Sequence, residues 1–136
     1  MSKIQRNFLA GQQRLMPQFL CMIAPTINSY TRLIPGFWAP TYATWGVENR
    51  TTALRIIPGS EKSQRVEYRL GSADGNPYLT VAAALASGLY GIMNEWEPEQ
   101  QVEGNSYEQE HPSYLKLSTT LWDAAQQLKK STAARE

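Results

Sequence analysis

The stretch Arg65-Val66-Glu67-Tyr68-Arg69 places two guanidinium groups and a carboxylate at alternate positions. In an extended strand such positions share a face, so Arg65, Glu67 and Arg69 point one way and Val66, Tyr68 and Leu70 the other. A guanidinium fork grips phosphate or carboxylate oxygens in pairs, and a carboxylate suits Mg²⁺, so this face could hold an anion together with a divalent cation. A solvated edge strand laced with weak ion pairs would carry the same pattern. Further cations lie nearby: Arg55 between Leu54 and Ile56, Arg50 just before that run, Arg32 in an aromatic loop, and Lys62 ahead of Arg65. They surround a triphosphate only if several loops and strands fold together. Otherwise they are unrelated surface charges.

Other chemistry is thinner. His111 is the only histidine and lies in an acidic stretch beside Pro112, so it reads as a surface residue and a histidine-based triad is not expected. Glu67 alone cannot make a metal site, and Glu48 is either a helper or a solvated turn residue. Gly71 to Gly75 lacks the Gly-Lys-Ser/Thr ending of a phosphate loop. Trp45, Trp96 and Trp122 read as packing anchors. Trp38, just after Pro35-Gly36, reads as part of a functional loop. The single Cys21 excludes an internal disulfide and reads as a buried, inert thiol, consistent with a reducing cytoplasmic location.

The 136 residues suit one domain, or part of one, and a compact fold would bury roughly two-thirds of the unfolded surface. A net charge of +1 with 18% charged residues gives no sign of a nucleic-acid partner. The charges are nevertheless segregated: residues 25–75 hold Arg32, Arg50, Arg55, Lys62, Arg65 and Arg69 against Glu48, Glu61, Glu67 and Asp74, and Glu95, Glu97, Glu99, Glu103, Glu108 and Glu110 follow without a basic residue among them. A local cationic field favours an anionic ligand. No apolar run approaches the roughly 18 residues of a membrane span, and the N-terminus lacks the continuous apolar core of a signal peptide.

The elements that must position these groups are readable. Residues 4–24 carry apolar side chains at helical spacing, with Pro17 marking a bend or a second start. Residues 26–40 form an ordered loop anchored by its aromatics. Strands are expected at Thr41 to Trp45, Thr51 to Ile57 and Gln64 to Leu70. Asn76 and Pro77 open a helix over 77–93 built on Leu79, Ala82, Ala83, Leu85, Ala86, Leu89 and Ile92, whose alanines and Gly88 permit close approach to a neighbour. An acidic connection spans 95–113, and a last helix runs from about Tyr114 to Lys130. The fold class is α+β, with antiparallel strands as the site wall and helices packed behind.

Several blocks, in order, resemble the glutamine synthetase family: Asn28-Ser-Tyr-Thr-Arg-Leu-Ile-Pro-Gly-Phe-Trp-Ala-Pro40, Trp45-Gly-Val-Glu-Asn-Arg50, Arg55-Ile-Ile-Pro58, Lys62, Arg65-Val-Glu67-Tyr-Arg69, Asn76-Pro-Tyr-Leu79 and Gly88-Leu-Tyr-Gly-Ile92. The likeness is strong over residues 7–93 and looser beyond, and corresponds to the C-terminal part of that family's catalytic domain. It implies an ATP-dependent ligase of nitrogen metabolism and glutamine biosynthesis. ATP phosphorylates glutamate, or a close analogue, and ammonia or an organic amine displaces phosphate. It implies that Arg32 and Arg69 hold substrate carboxylates, that Arg50 and Arg55 neutralise the transferred phosphoryl group, and that Lys62 and Arg65 lie nearer the nucleotide phosphates. Glu67 is then a ligand of the Mg²⁺ or Mn²⁺ that bridges those phosphates, and subunits assemble as stacked homo-oligomeric rings.

Two departures from the family pattern shape the expectation. Trp38 stands where these enzymes usually have a glutamate that binds and deprotonates ammonium. An indole shields an acyl phosphate but accepts no proton, so a larger amine is the expected acceptor. The β-grasp N-terminal domain, the glutamates of a second metal position and a histidine-bearing ligand segment would precede the matched region, so the 136 residues alone are expected to lack ligase activity. A catalytically inactive structural or regulatory homologue and, behind it, a small-molecule kinase are the alternatives.

Overall fold

In a computed structural model that describes residues 1–135, Ser2 caps a long first helix, α1 (Lys3–Ile23). The Ser2 hydroxyl accepts from the Gln5 amide at 3.2 Å and the Gln5 side chain accepts from the Ser2 amide at 3.0 Å, the reciprocal pair that satisfies two orphan donors at a helix start. The helix runs unbroken through Pro17, so the second start considered from sequence does not occur. Leu9, Met16, Leu20 and Ile23 on one face are fully buried and form the spine of the core with Leu54, Leu70 and Leu115.

Helix α2 (Pro77–Met93) is capped by Asn76, whose side chain accepts from the Tyr78 and Leu79 amides. Its buried face is Ala83, Ser87, Gly88 and Gly91, laid against Gly11 of α1. A β-carbon on Gly11 would sit 2.7 Å from the Gly91 nitrogen, so the two backbones touch. The small residues do bring a neighbour close, as expected. The larger ones do not line the core: Leu79, Leu85 and Leu89 are exposed, because a face bulky enough to carry leucine could not approach α1 at this distance.

The sheet is mixed. Strand β2 (Leu54–Ile57) pairs antiparallel with β3 (Arg65–Tyr68) and parallel with β1 (Trp45–Val47), in the order β1-β2-β3. The antiparallel wall expected from sequence is therefore correct only for β2 and β3. Parallel neighbours usually need a crossover of about a dozen residues. Here residues 48–53 suffice because side chains stitch the loop. Asn49 Oδ1 accepts from the Thr51 amide at 2.9 Å, Asn49 Nδ2 donates to the Gly104 carbonyl at 2.8 Å, and Thr52 Oγ1 donates to the Asn49 carbonyl at 2.9 Å.

Residues 41–44, expected as strand, instead bridge to a later segment. The Ala43 amide donates to the Leu115 carbonyl at 2.7 Å and the Leu117 amide to the Thr41 carbonyl at 3.0 Å. Residues 113–115 form a 3-10 turn and Lys116 bridges to Tyr42, so the last helix, α3 (Leu121–Lys130), starts later than Tyr114 and is capped by Thr120. The acidic connection is an ordered strap. Glu95 and Glu97 pair with Lys3 and Arg6 of α1 at 3.0 and 2.7 Å, and Trp45 Nε1 donates to the Glu99 carbonyl at 2.7 Å.

His111 is half-buried, not a free surface residue, with Nε2 at 2.9 Å from Ser106 Oγ. Of the expected anchors, Trp45 is buried and Trp96 packs edge-on to Tyr90 at 5.3 Å, but Trp122 is exposed. Tyr30 and Leu33 anchor the 26–40 loop, which begins as a 3-10 turn (Ile27–Arg32), while Phe37 and Trp38 stand out in solvent. Cys21 is half-buried, and desolvation raises its thiol pKa.

Candidate active site

Arg55 and Glu67 are direct partners across the β2–β3 ladder, which sets their side chains on the same face of the sheet. Arg55 Nη1 donates to Glu67 Oε2 at 3.1 Å, and its Nη2 donates to Glu48. Arg69, just past the end of β3, donates from Nε to Glu67 Oε1 at 3.2 Å. One carboxylate thus lies between two guanidiniums, each bonded to a different oxygen. The Arg55 and Arg69 side chains are 16% and 12% exposed, while Glu67 and Glu48 are 41% and 48% exposed. The cations are therefore held in the wall and the carboxylates are more open to solvent.

Arg69 is largely committed to backbone. Its Nη1 donates to the carbonyls of Thr52, at 2.8 Å, and Arg50, and its Nη2 donates to the carbonyl of Trp38 at 3.0 Å. With the Glu67 bond, four of the five guanidinium N–H groups are spent. Arg69 is thus a tie that pins the Trp38 loop and the 50–52 loop to the sheet. Removing it strands those carbonyls, so Arg69→Ala should lower stability by roughly 2 kcal/mol, a fall of about 6–10 °C in Tm. Thermal unfolding of Arg69→Ala and Arg69→Lys checks this, with lysine recovering only part of the loss because it lacks the planar fork. An unchanged Tm would show that the tie carries no load.

Trp38 and Glu48 both have left-handed backbones, with φ of 55° and 51°. Non-glycine residues occupy that region at a cost, and such residues tend to gather at functional sites. Trp38, Glu48, Arg50 and Arg55 line one groove together with Gln101, Val102 and Glu103 of the strap. Arg55 Nε is buried in this wall without a hydrogen-bond partner.

Two of the expected cations lie apart from this cluster. Lys62 is exposed in the turn between β2 and β3, and Arg65 donates to the Ser63 carbonyl at 3.1 Å and lines a different groove with Arg6, Pro58 and Gly59. Arg32 reaches the end of β3 from the other side, donating from Nη2 to the carbonyls of Leu70 and Gly71 at 3.0 and 3.1 Å, which leaves its Nε and Nη1 uncommitted. Sequence reasoning left Glu48 undecided, because nothing in Val-Glu-Asn-Arg announces a left-handed residue. It read Glu103 only as part of an acidic run and did not single out Gln101, because their place at the groove depends on how the strap folds back.

The donor set bears on what the site could hold. Among the described residues no group of three or more histidine, cysteine or acidic side chains could by itself hold a metal ion. Glu67 has both oxygens in single hydrogen bonds and, with about four lone-pair positions in a carboxylate, keeps room for one metal bond. It fits a divalent cation whose other ligands come from phosphate oxygens or from elsewhere.

Comparison with known proteins gives the family. The family profile described as glutamine synthetase, catalytic domain, matches residues 1–136. The chain belongs to the glutamine synthetase family. It is 48% identical to type-1 glutamine synthetase 2 of Dictyostelium discoideum over all of this chain and 26% of that protein. It is 49% identical to a gamma-glutamylputrescine synthetase of Escherichia coli, over 80% of this chain and 23% of the relative. To a gamma-glutamylethanolamide synthetase of Streptomyces coelicolor it is 44% identical, over 99% of this chain and 28% of the relative. The chain therefore spans about a quarter of the length of these curated relatives.

Proposed function

We propose that residues 1–136 form the C-terminal part of the catalytic domain of an ATP-dependent carboxylate–amine ligase, which joins the side-chain carboxyl of glutamate, or a close analogue, to ammonia or an organic amine. The observation that carries this reading is the convergence of Arg55 and Arg69 on Glu67, with Arg55 also lining the groove that holds Trp38, Glu48 and Arg50. Family membership and the printed names of the relatives support it: all three are ligases or synthetases that would make a γ-glutamyl amide.

In this reading a substrate carboxylate oxygen attacks the γ-phosphorus of ATP and ADP departs. The amine nitrogen then attacks the acyl carbon, the bond from that carbon to the phosphate oxygen breaks, and the nitrogen gives up a proton. Arg55, whose guanidinium is aligned by two carboxylates and lines the groove, neutralises the transferred phosphoryl oxygens, and Arg50 does so from the groove wall. Arg32 has the free donors to hold the substrate's carboxylate, with Arg69 contributing its one spare N–H. Lys62 and Arg65, on the outer end of the β2–β3 hairpin, face the nucleotide phosphates. Glu67 holds one position of a Mg²⁺ or Mn²⁺, which when bound offsets charge on those phosphates. The alternatives are an inactive homologue and a kinase.

Ring assembly and a cytoplasmic setting belong to the same proposal. Among the described residues no helix is long and apolar enough to cross a membrane.

In an enzyme that carries these residues within a complete catalytic domain, phosphate release should need ATP, glutamate, an amine and the divalent cation together. Amine-independent phosphate transfer would favour a kinase, and no nucleotide binding an inactive homologue. Trp38, exposed over the groove, shields the acyl phosphate but takes no proton. Trp38→Glu should therefore shift the ratio of kcat/KM for ammonia over an organic amine upward by about tenfold or more, the effect expected from supplying a general base. An unchanged ratio would remove Trp38 from acceptor choice.

A further inference from the structure

We propose that Glu48 is a positioning residue for the reaction, its carboxylate holding the Arg55 guanidinium in the orientation that meets the transferred phosphoryl group; this rests on the ligase reading above and adds a residue to its machinery.

The register of the sheet shows why Arg55 needs a second partner. On β3 it faces Glu67, but on β1 its partner is Gly46, which has no side chain to offer. A β-carbon there would lie 2.8 Å from both Asn49 Cβ and the Val102 carbonyl oxygen, so the position is closed to a larger residue. Glu67 is shared, with Oε2 accepting from Arg55 and Oε1 from Arg69. A guanidinium tied at one Nη alone can pivot about that contact. Glu48 supplies the second point. Its amide donates to the Ile56 carbonyl at 2.9 Å, which carries the pairing with β2 one residue past Val47 and fixes where the side chain starts. The carboxylate then reaches the other Nη of Arg55 and bonds nothing else among the described residues. With Nη1 on Glu67 and Nη2 on Glu48 the plane of the fork is set, and each Nη keeps one N–H uncommitted.

Stability does not account for a glutamate here. Its φ of 51° lies in the left-handed region, which glycine takes freely and asparagine or aspartate adopt more readily than glutamate. A turn that needed only this backbone would be better made by one of those residues. The ion pair offers little in return, because the Glu48 side chain is half open to water. What the glutamate does provide is the direction of a guanidinium that lines the groove, and a donor fixed in advance is what stabilises a developing oxyanion.

Glu48→Gly removes the carboxylate and the backbone strain together, and so separates the two roles. In the complete-domain enzyme kcat should fall about tenfold and KM for glutamate should stay within about twofold, while Tm should stay within about 3 °C. Glu48→Gln, which keeps the stem and an acceptor oxygen, should recover part of kcat. Added to Arg55→Lys, Glu48→Gly should lower kcat by less than about twofold more, since Glu48 acts through that guanidinium. An undiminished kcat in Glu48→Gly, or a full loss on top of Arg55→Lys, overturns the inference while the ligase reading stands. A fall in Tm well beyond that range would assign Glu48 to the fold and overturns it too. A second readout needs no turnover: in the 136-residue chain the two carboxylates should slow rotation of the Arg55 guanidinium enough to give separate Nη1 and Nη2 resonances, and Glu48→Gly should merge them. Merged resonances in the unsubstituted chain, or separate ones in Glu48→Gly, also overturn the inference. A complete-domain enzyme that releases no phosphate with any amine would instead overturn the ligase reading, and the resonances would then decide by themselves whether Glu48 orients Arg55.

Discussion

Arg55→Lys in the complete-domain enzyme should lower kcat by about 10²–10³-fold, the loss typical of removing one preorganised donor to a developing oxyanion, roughly 3–4 kcal/mol. The geometry explains why lysine should not substitute. Arg55 spends one N–H on Glu67 and one on Glu48 and still has one N–H on each Nη of its fork uncommitted. A lysine ammonium would satisfy the two carboxylates as a point charge and have little left for phosphoryl oxygens. Because the positive charge beside Glu48 and Glu67 is retained, stability should change by only about 1 kcal/mol. Steady-state phosphate release together with thermal unfolding separates the two effects. A variant that keeps near-normal kcat would mean that Arg55 serves the fold and not the reaction.

Legibility from sequence followed the range of the interaction. Helix α2 was readable to its ends because Asn76, Pro77 and the apolar spacing are local signals, and the same holds for the strand alternation that sets Glu67 and Arg69 together. The direction of β1 was not. A six-residue loop joining parallel strands depends on Asn49 reaching Gly104 across 55 positions of chain, which no local pattern encodes. The late start of α3 has the same origin, since residues 115–117 are drawn into pairing with 41–43. In the site, alternation and the family likeness singled out Arg55, Glu67 and Arg69. The left-handed backbones of Trp38 and Glu48 and the strap wall at Glu103 are products of tertiary closure.

Helix propensity and packing make opposite predictions at Gly91, and packing should win. In an exposed helix interior, glycine to alanine stabilises by about 0.5–1 kcal/mol, because alanine has less conformational entropy to lose. At Gly91 the added β-carbon would lie 2.5 Å from the Gly11 nitrogen and 2.6 Å from its α-carbon, and would also overlap the Asn7 carbonyl. These are backbone atoms, so no rotamer change relieves the overlap and α1 must move away from α2. Moving it loosens the bond from Gln12 Nε2 to the Ala84 carbonyl, now 3.2 Å, and the contacts of fully buried Leu9 and Ala10. Gly91→Ala should therefore destabilise by about 3 kcal/mol, at the upper end of the usual cost of overpacking. Ala86→Gly, on the exposed side of the same helix, should cost about 1 kcal/mol from propensity alone. Denaturant melts of the two variants give the comparison directly. The helix that carries no site residue thereby becomes a condition for the site: α1 also anchors, through Lys3, Arg6 and Gln13, the strap that lines the groove at Glu103. A neutral or stabilising Gly91→Ala would mean that the two helices do not touch backbone to backbone, and the strap would lose the platform on which the groove depends.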